Sequence, residues 1–384
     1  MQLIQVNTPA LAQAWIEMPL DIYKNDPMYI RPLDKDIQEV FDTEKNKLLK
    51  SGECERWLFA NDAGKYIARV AVFINKKYKQ SQPTGGIGFF ECINDKIVAH
   101  HVFDKAKEWL QARGMEAMDG PINFGERDRW WGCLINGFDE PLYCMNYNPS
   151  YYQELLESYG FQIYFNQLCF GMNRKNGLAD RFIKWSAHYA KDPDFEVRHI
   201  EKNKLDKYAE DFCNVYNAAF AKHGEGKTMD VRVTKNMFQT MKPIMDEKIS
   251  YFVYYKNEPV AMWLNLPDLN QYFKYCNGKF GIIQKLQFLY RQKFRKGNRF
   301  LGVVYGVAPA WQGKGVDAMM MVACRDYLEK TNAYERYEMQ WIGDFNPRMV
   351  NLAKNLGAEE VRRLATFRYL FDRTIAFKRM ASLG

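Results

Sequence analysis

One segment constrains this chain more than any other: Gly302-Val303-Val304-Tyr305-Gly306-Val307-Ala308-Pro309-Ala310-Trp311-Gln312-Gly313-Lys314-Gly315-Val316-Asp317-Ala318-Met319-Met320. It passes from an apolar strand, through a proline turn, into a glycine-rich loop, and from there into a helix. The first N–H groups of a helix have no partner within it, the helix dipole concentrates positive charge there, and glycines let a ligand approach the backbone. Lys314 adds a cation at the rim. The junction therefore predicts a phosphate-binding loop at the edge of a layered fold of sheet and helices.

The surrounding pattern supplies the other elements. Phe195 to Ile200 reads as a strand, Leu205 to Lys222 as a helix, and Lys248 to Tyr255 with Val260 to Leu266 as a hairpin around Asn257. After the strand Phe300 to Val307 come a helix over Asp317 to Thr331, a strand over Tyr334 to Ile342, a helix over Arg348 to Asn355 and a strand over Arg363 to Phe371. A right-handed crossover places Phe300–Val307 and Tyr334–Ile342 parallel in one sheet. The stretch 267–299, rich in aromatic and basic residues, reads either as the cover of a cleft or as a helix packed on the sheet.

A chain of 384 residues exceeds one ordinary core and predicts two domains. A loose echo joins the halves. Asn148-Pro149 precedes Leu155-Leu156 and Tyr159-Gly160-Phe161, and Asn346-Pro347 precedes Leu352-Ala353 and Leu356-Gly357-Ala358. Both read as a helix start, a short amphipathic helix and a glycine stop before a strand. In the first half Lys65 to Ile74 and Ile87 to Cys92 read as strands, and Asp95 to Arg113 as a helix ended by Gly114. The expected division is 1–175, a linker over 176–194, and 195–384.

Hydrophobic residues at 47% and charged residues at 26% describe a folded globular protein rather than a disordered one. The eight cysteines, Cys54, Cys92, Cys133, Cys144, Cys169, Cys213, Cys276 and Cys324, show no metal-ligand spacing, so reduced structural thiols and no metal are expected. The N-terminal stretch lacks a secretory pattern, and no stretch has the ~18 to 20 apolar residues of a membrane span, which predicts a cytoplasmic protein. A formal charge of +8 favours anionic partners, but without a clustered basic stripe nucleic acid is not the expected one.

The sequence Val307-Ala308-Pro309-Ala310-Trp311-Gln312-Gly313-Lys314-Gly315, placed after a strand, resembles the cofactor motif of the GNAT N-acyltransferases. The resemblance implies an α+β fold of two tandem GNAT-like domains, each a mixed sheet flanked by helices, with acetyl-CoA or another acyl-CoA as co-substrate. It implies that Gln312, Gly313, Lys314, Gly315, Val316 and Asp317 hold the pyrophosphate, that Val307 and Ala308 pair with the pantetheine arm, and that Asn346 bonds the cofactor near the thioester. Asp317 stands where the family has a small residue; an acidic side chain there must turn away from phosphate or cap the helix. Ala353 stands where the family commonly has its general-acid tyrosine. The N-terminal half looks like a copy without the phosphate loop, since Glu91-Cys92-Ile93-Asn94-Asp95-Lys96 fills the equivalent turn.

The whole chain is similar to bacterial tandem-GNAT proteins of similar length, and that likeness extends to acylation of long-chain amines of the ceramide type. The expected reaction is direct attack of a primary amine on the acyl-CoA thioester. Glu338 is the candidate proton acceptor and Tyr305 the candidate acid; His199 and His223 are read as structural, and Cys324 as core. In Gly120–Gly132, Glu126, Asp128 and Trp130 either line an amine and lipid site or clamp the halves together. The competing readings are an aminoacyl-tRNA-dependent transferase of the peptidoglycan-bridge type, which would not need the loop, and an acyl-CoA-binding protein without catalysis.

Overall fold

The computed structural model describes residues 1–76, 82–124, 127, 129–220, 228–295 and 297–383. The apolar runs form β1 (Gln2–Gln5), β2 (Gly52–Ala60), β3 (Tyr66–Asn75), β4 (Thr84–Cys92), β5 (Ala117–Gly120), β6 (Cys133–Asn136) and β7 (Gln162–Asn173). The second half contributes β8 (Phe195–His199), β9 (Tyr251–Tyr255), β10 (Glu258–Pro267), β11 (Arg299–Val307), β12 (Arg336–Met339), β13 (Ile342–Gly343) and β14 (Glu359–Leu370). Among the described residues they join in one mixed sheet, in the order β1-β2-β3-β4-β5-β14-β7-β12-β11-β10-β9-β8, with β6 beside β14 and β13 beside β7.

That order records an exchange. β14, the last strand of the chain, runs antiparallel between β5 and β7, and β7 in turn pairs antiparallel with β12. Each half therefore carries the closing strand of the other. Two buried arginines of β14 fix the exchange, one in an ion pair and one on main-chain carbonyls, as charges removed from water require. Arg368 of β14 donates to both oxygens of Asp119 of β5, at 2.6 and 2.8 Å. Arg362 of β14 donates to the carbonyls of Gly137, Asp139 and Glu140.

Each half repeats one local unit. β4 and β5 run parallel from Thr84↔Ala117 to Gly86↔Asp119, and β11 and β12 from Arg299↔Arg336 to Gly302↔Met339; beyond these pairs the longer strand leaves its parallel neighbour and continues paired only with β3 or β10. The strands diverge into a V. At its apex the longer strand bulges: Phe89, with φ +49°, is the extra residue in β4, and Val303 is the extra residue in β11. A bulge bends its strand and re-aims the side chains after it.

Helices fall where the apolar period placed them: Lys96–Gln111, Leu205–Phe220, Ala318–Thr331 and Pro347–Asn355. The stretch read as a linker contains a further helix, Asp180–Tyr189, which buries only Phe182 and so gives a weak pattern. The stretch 267–299 folds into short Asn270–Phe273 and longer Ile282–Phe294. The longer helix buries only Phe288, so it is neither of the two forms expected from sequence. All eight cysteines are free, and seven are buried.

Candidate active site

The V between β11 and β12 opens into a cavity of about 430 Å³. Met172, Trp263, Phe300, Tyr337, Leu352 and Leu356 are among its lining residues, and Cys324, Val303 and Tyr305 also reach it. Because β12 ends its pairing at Gly302↔Met339, the main chain of Val303–Gly306 has no strand partner on that side among the described residues. An extended amide chain can use such an edge.

The glycine-rich loop follows directly. Gly313 and Gly315 have φ of +72° and +77°, in the left-handed region that glycine adopts freely. Among the described residues, the N–H groups of Gly313, Gly315, Val316 and Asp317 find no acceptor within the chain. Four free amides ahead of the helix Ala318–Thr331 make a cradle of the kind that suits an anion. The Trp185 ring lies against the Gly315 Cα, where any side chain would meet it, and Tyr189 donates to the Lys314 carbonyl at 2.7 Å. The helix in the interdomain stretch thus shapes the loop, which the sequence did not signal.

Asp317 does not cap the helix. Its carboxylate accepts the Tyr305 hydroxyl at 2.6 Å, and so is turned toward the strand. Burial, with Asp317 beside it, raises the Tyr305 pKa well above the ordinary tyrosine value. The phenol remains protonated and its hydrogen is committed to Asp317.

Other expected site residues take different places. The Val307 carbonyl accepts Gln312 Nε2 at 3.0 Å and the Ala308 N–H donates to Val260 at 2.8 Å. The open edge therefore lies earlier, at Val303–Gly306, and Gln312 braces the turn. Asn346 caps the helix Pro347–Asn355 by accepting the Met349 N–H at 3.3 Å. Ala353, on that helix, lines the cavity, so its small side chain leaves room where a tyrosine would stand.

Glu338 is 6% exposed and points away from the cavity. One oxygen accepts Arg299 Nη1 at 3.0 Å and the other lies 3.7 Å from Arg362 Nη2. Arg299 also binds Asp268 at 2.7 Å. This buried cluster ties β12 to β11 and β14, and Glu338 is not among the residues lining the cavity. Tyr337, one residue earlier and on the other face, does reach the cavity. Its oxygen accepts Trp263 Nε1 at 3.2 Å, leaving its own hydrogen for another acceptor. Strand alternation carried this signal, and the acidic neighbour drew attention from it.

Glu126 and Asp128 lie outside the described residues, as does His223. Trp130 is 6% exposed and packs beside Phe89 in the N-terminal core, away from the cavity. The Arg127 carbonyl accepts Trp341 Nε1 at 3.1 Å and the Trp131 carbonyl accepts Gln167 Nε2 at 3.1 Å. Of these two bonds, the one to Trp341 joins the loop to the second half, and the one to Gln167 joins it to β7. His199 sits on β8 at the sheet edge, with Lys248 2.6 Å from its Nε2. Among the described residues no group of histidine, cysteine, aspartate and glutamate could hold a metal, and no helix is long and apolar enough to cross a membrane.

Two V-shaped units, each a parallel pair with a bulge and a crossover helix, joined by exchange of their closing strands, define the tandem GNAT fold. A tandem GNAT protein from the clavulanic acid biosynthesis pathway, solved without AcCoA, superposes with a TM-score of 0.53 at 9% identity, covering 96% of this chain and 98% of that one. Two relatives match nearly end to end. A bacterial ceramide synthase of Caulobacter vibrioides is 24% identical over 370 residues, 93% of this chain and 94% of that protein. Protein YghO of Escherichia coli is 24% identical over 362 residues, 91% of this chain and 90% of that protein. No family model matches the chain.

Proposed function

We propose that the chain is an acyl-CoA-dependent N-acyltransferase that moves an acyl group longer than acetyl onto the primary amine of a small molecule or lipid. Residues 195–384 are the acyl-CoA-binding unit in this reading, and residues 1–175 are a copy without a cofactor loop. The observation that carries the reading is the conjunction of free loop amides, an open strand edge and an apolar cavity at one V. The first suits a pyrophosphate, the second the amides of a pantetheine arm, and the third an alkyl chain. The relative named as a bacterial ceramide synthase supports a long-chain amine as acceptor.

The chemistry asks little of side chains. The amine lone pair attacks the thioester carbonyl, the C–N bond forms, the C–S bond breaks, and the proton lost by nitrogen balances the one gained by the departing thiolate. Main-chain N–H groups of the open edge polarise the carbonyl, and Tyr337, beside that edge, is a group on the cavity wall with a hydrogen to give. Burial raises the Tyr337 pKa, so it is protonated at neutral pH. Tyr305 and Glu338 are positioning residues here: Tyr305 holds Asp317 away from the cradle, and Glu338 holds β12.

Calorimetric titration with acetyl-CoA and palmitoyl-CoA tests the reading, comparing wild type with Gly313→Asp. Open space surrounds a side chain at Gly313, and aspartate is among the residues that take its left-handed backbone angle at least cost, so the variant adds charge with some local strain, and its Tm is compared with wild type. Wild type is expected to bind palmitoyl-CoA more tightly, with affinity falling about tenfold or more in the variant, by the repulsion of an added carboxylate in the cradle. CoA release on adding a long-chain amine then shows transfer. Absence of binding by folded wild type sinks the acyl-CoA reading and favours the tRNA-dependent one; binding without CoA release favours an acyl-CoA-binding protein.

A further inference from the structure

The helix Ile282–Phe294 carries its apolar face outward. Ile282, Ile283, Leu286, Leu289, Tyr290 and Phe294 are 79, 66, 63, 53, 57 and 60% exposed. At 100° per residue they fall on one continuous stripe. The opposite side is anchored by Phe288, packed on Tyr272 and Phe273. A helix of a soluble protein normally buries such a stripe, and a contiguous exposed one marks an interaction surface.

Charge narrows the partner. No aspartate or glutamate occurs between Asp268 and Asp317, while Lys279, Lys285, Arg291, Lys293 and Arg295 lie in or beside the helix. Lys285 flanks the stripe and Lys293 falls within it near its end, where a long aliphatic stem lets an ammonium reach a phosphate above an inserted apolar face. Self-pairing of this face would set basic residues against basic residues. The described helices include none fit to cross a bilayer, so contact with one would be lateral.

We propose that this helix docks the protein on an anionic lipid surface, lying in the plane of the interface with its apolar stripe in the acyl boundary. The helix leads into β11, the strand bounding the cavity, so docking would bring that side of the molecule to the bilayer. The proposal stands on exposure and charge alone and does not depend on acyl transfer.

Flotation with phosphatidylcholine vesicles, with and without phosphatidylglycerol, tests it. Wild type is expected to float with the phosphatidylglycerol vesicles and to be released in part by high salt. The triple variant Ile282→Asp, Ile283→Asp, Leu286→Asp changes only exposed residues; it is expected to keep its Tm and lose about tenfold or more of the bound fraction. Lys285→Glu with Lys293→Glu is expected to abolish the preference for phosphatidylglycerol. Failure of wild type to float overturns the proposal, as does flotation that the triple substitution leaves unchanged. A dimer seen by light scattering and abolished by the triple substitution, without vesicle binding, assigns the face to a second copy instead.

Discussion

The two V-shaped junctions of this protein share a backbone plan and differ in what fills them. In the N-terminal one, the chain leaving β5 folds back across the opening, and the Ile122 N–H donates to the Ile87 carbonyl at 2.7 Å. At the following turn Asp95 accepts the N–H groups of Ile97 and Val98, at 2.8 and 3.2 Å. In the C-terminal junction the strand edge is open, the acid at the turn faces Tyr305, and the amides before the helix are free. Two residues beyond each bulge stands Glu91 or Tyr305. Glu91 is buried with Tyr23, Tyr152 and Arg69, beside a pocket of only about 40 Å³ where the other copy has one of about 430 Å³. The same scaffold is thus crossed by its own chain in one copy and left open in the other.

The strongest way to break the comparison is to undo the exchange that holds both copies in one frame. Arg368→Leu leaves the Asp119 carboxylate, 1% exposed, without its bidentate guanidinium. Removing one partner of a buried ion pair costs about 3–5 kcal/mol, so chemical denaturation should show a loss of up to that size. Because β14 belongs to both halves, acyl-CoA binding and N-terminal stability should fall in one transition. Separate transitions would show that the halves fold independently of the exchange.

A smaller effect separates the two apices. A side-chain carbon on Gly88 would run into the Ile122 carbonyl of the backbone plug, whereas one on Gly302 would meet the Tyr337 hydroxyl at the end of a side chain. Backbone cannot step aside as a side chain can. Gly88→Ala is expected to cost roughly 1–3 kcal/mol by overpacking and to leave acyl-CoA affinity unchanged. Gly302→Ala is expected to cost less stability and to weaken acyl-CoA binding or turnover by displacing Tyr337. A larger stability loss at Gly302 than at Gly88 would contradict the assignment of plug and cavity.

Much of this was legible in the sequence where local chemistry carried it. The glycine loop, the flanking strand and helix, and the Asn346-Pro347 start are short-range signals, and each lies where its residues placed it; the first Asn-Pro does not open its helix, because Asn148 bonds the Leu134 main chain and the helix begins at Tyr152. The exchange of β7 and β14 was not legible, because pairing partners distant in sequence leave no trace in the alternation of either strand. Glu338 shows the same limit at the level of a side chain: its carboxylate is claimed by Arg299 and Arg362, residues far away in the chain. Tyr337 was within reach of the period-two pattern, but which face of β12 meets the cavity depends on the helix Pro347–Asn355 packed beside it.

The finest test compares the two turn acids, which have the same chemistry and opposite jobs. Asp95 caps its helix by accepting two N–H groups, so Asp95→Ala should cost about 1 kcal/mol, the usual worth of such a cap. Asp317 makes no capping bond, and Asp317→Asn should change stability by less than that, keeping an acceptor for the Tyr305 hydroxyl while removing a negative charge beside the cradle. Its effect should appear in binding: CoA affinity is expected to rise roughly two- to fivefold at low salt and less at high salt, because the repulsion relieved is between partly exposed charges. Titration of CoA against wild type and Asp317→Asn at two ionic strengths checks this. A loss of affinity in the asparagine variant would mean that the carboxylate orders the free amides through Tyr305 more than it repels phosphate, and the open junction would then be held open by its acid.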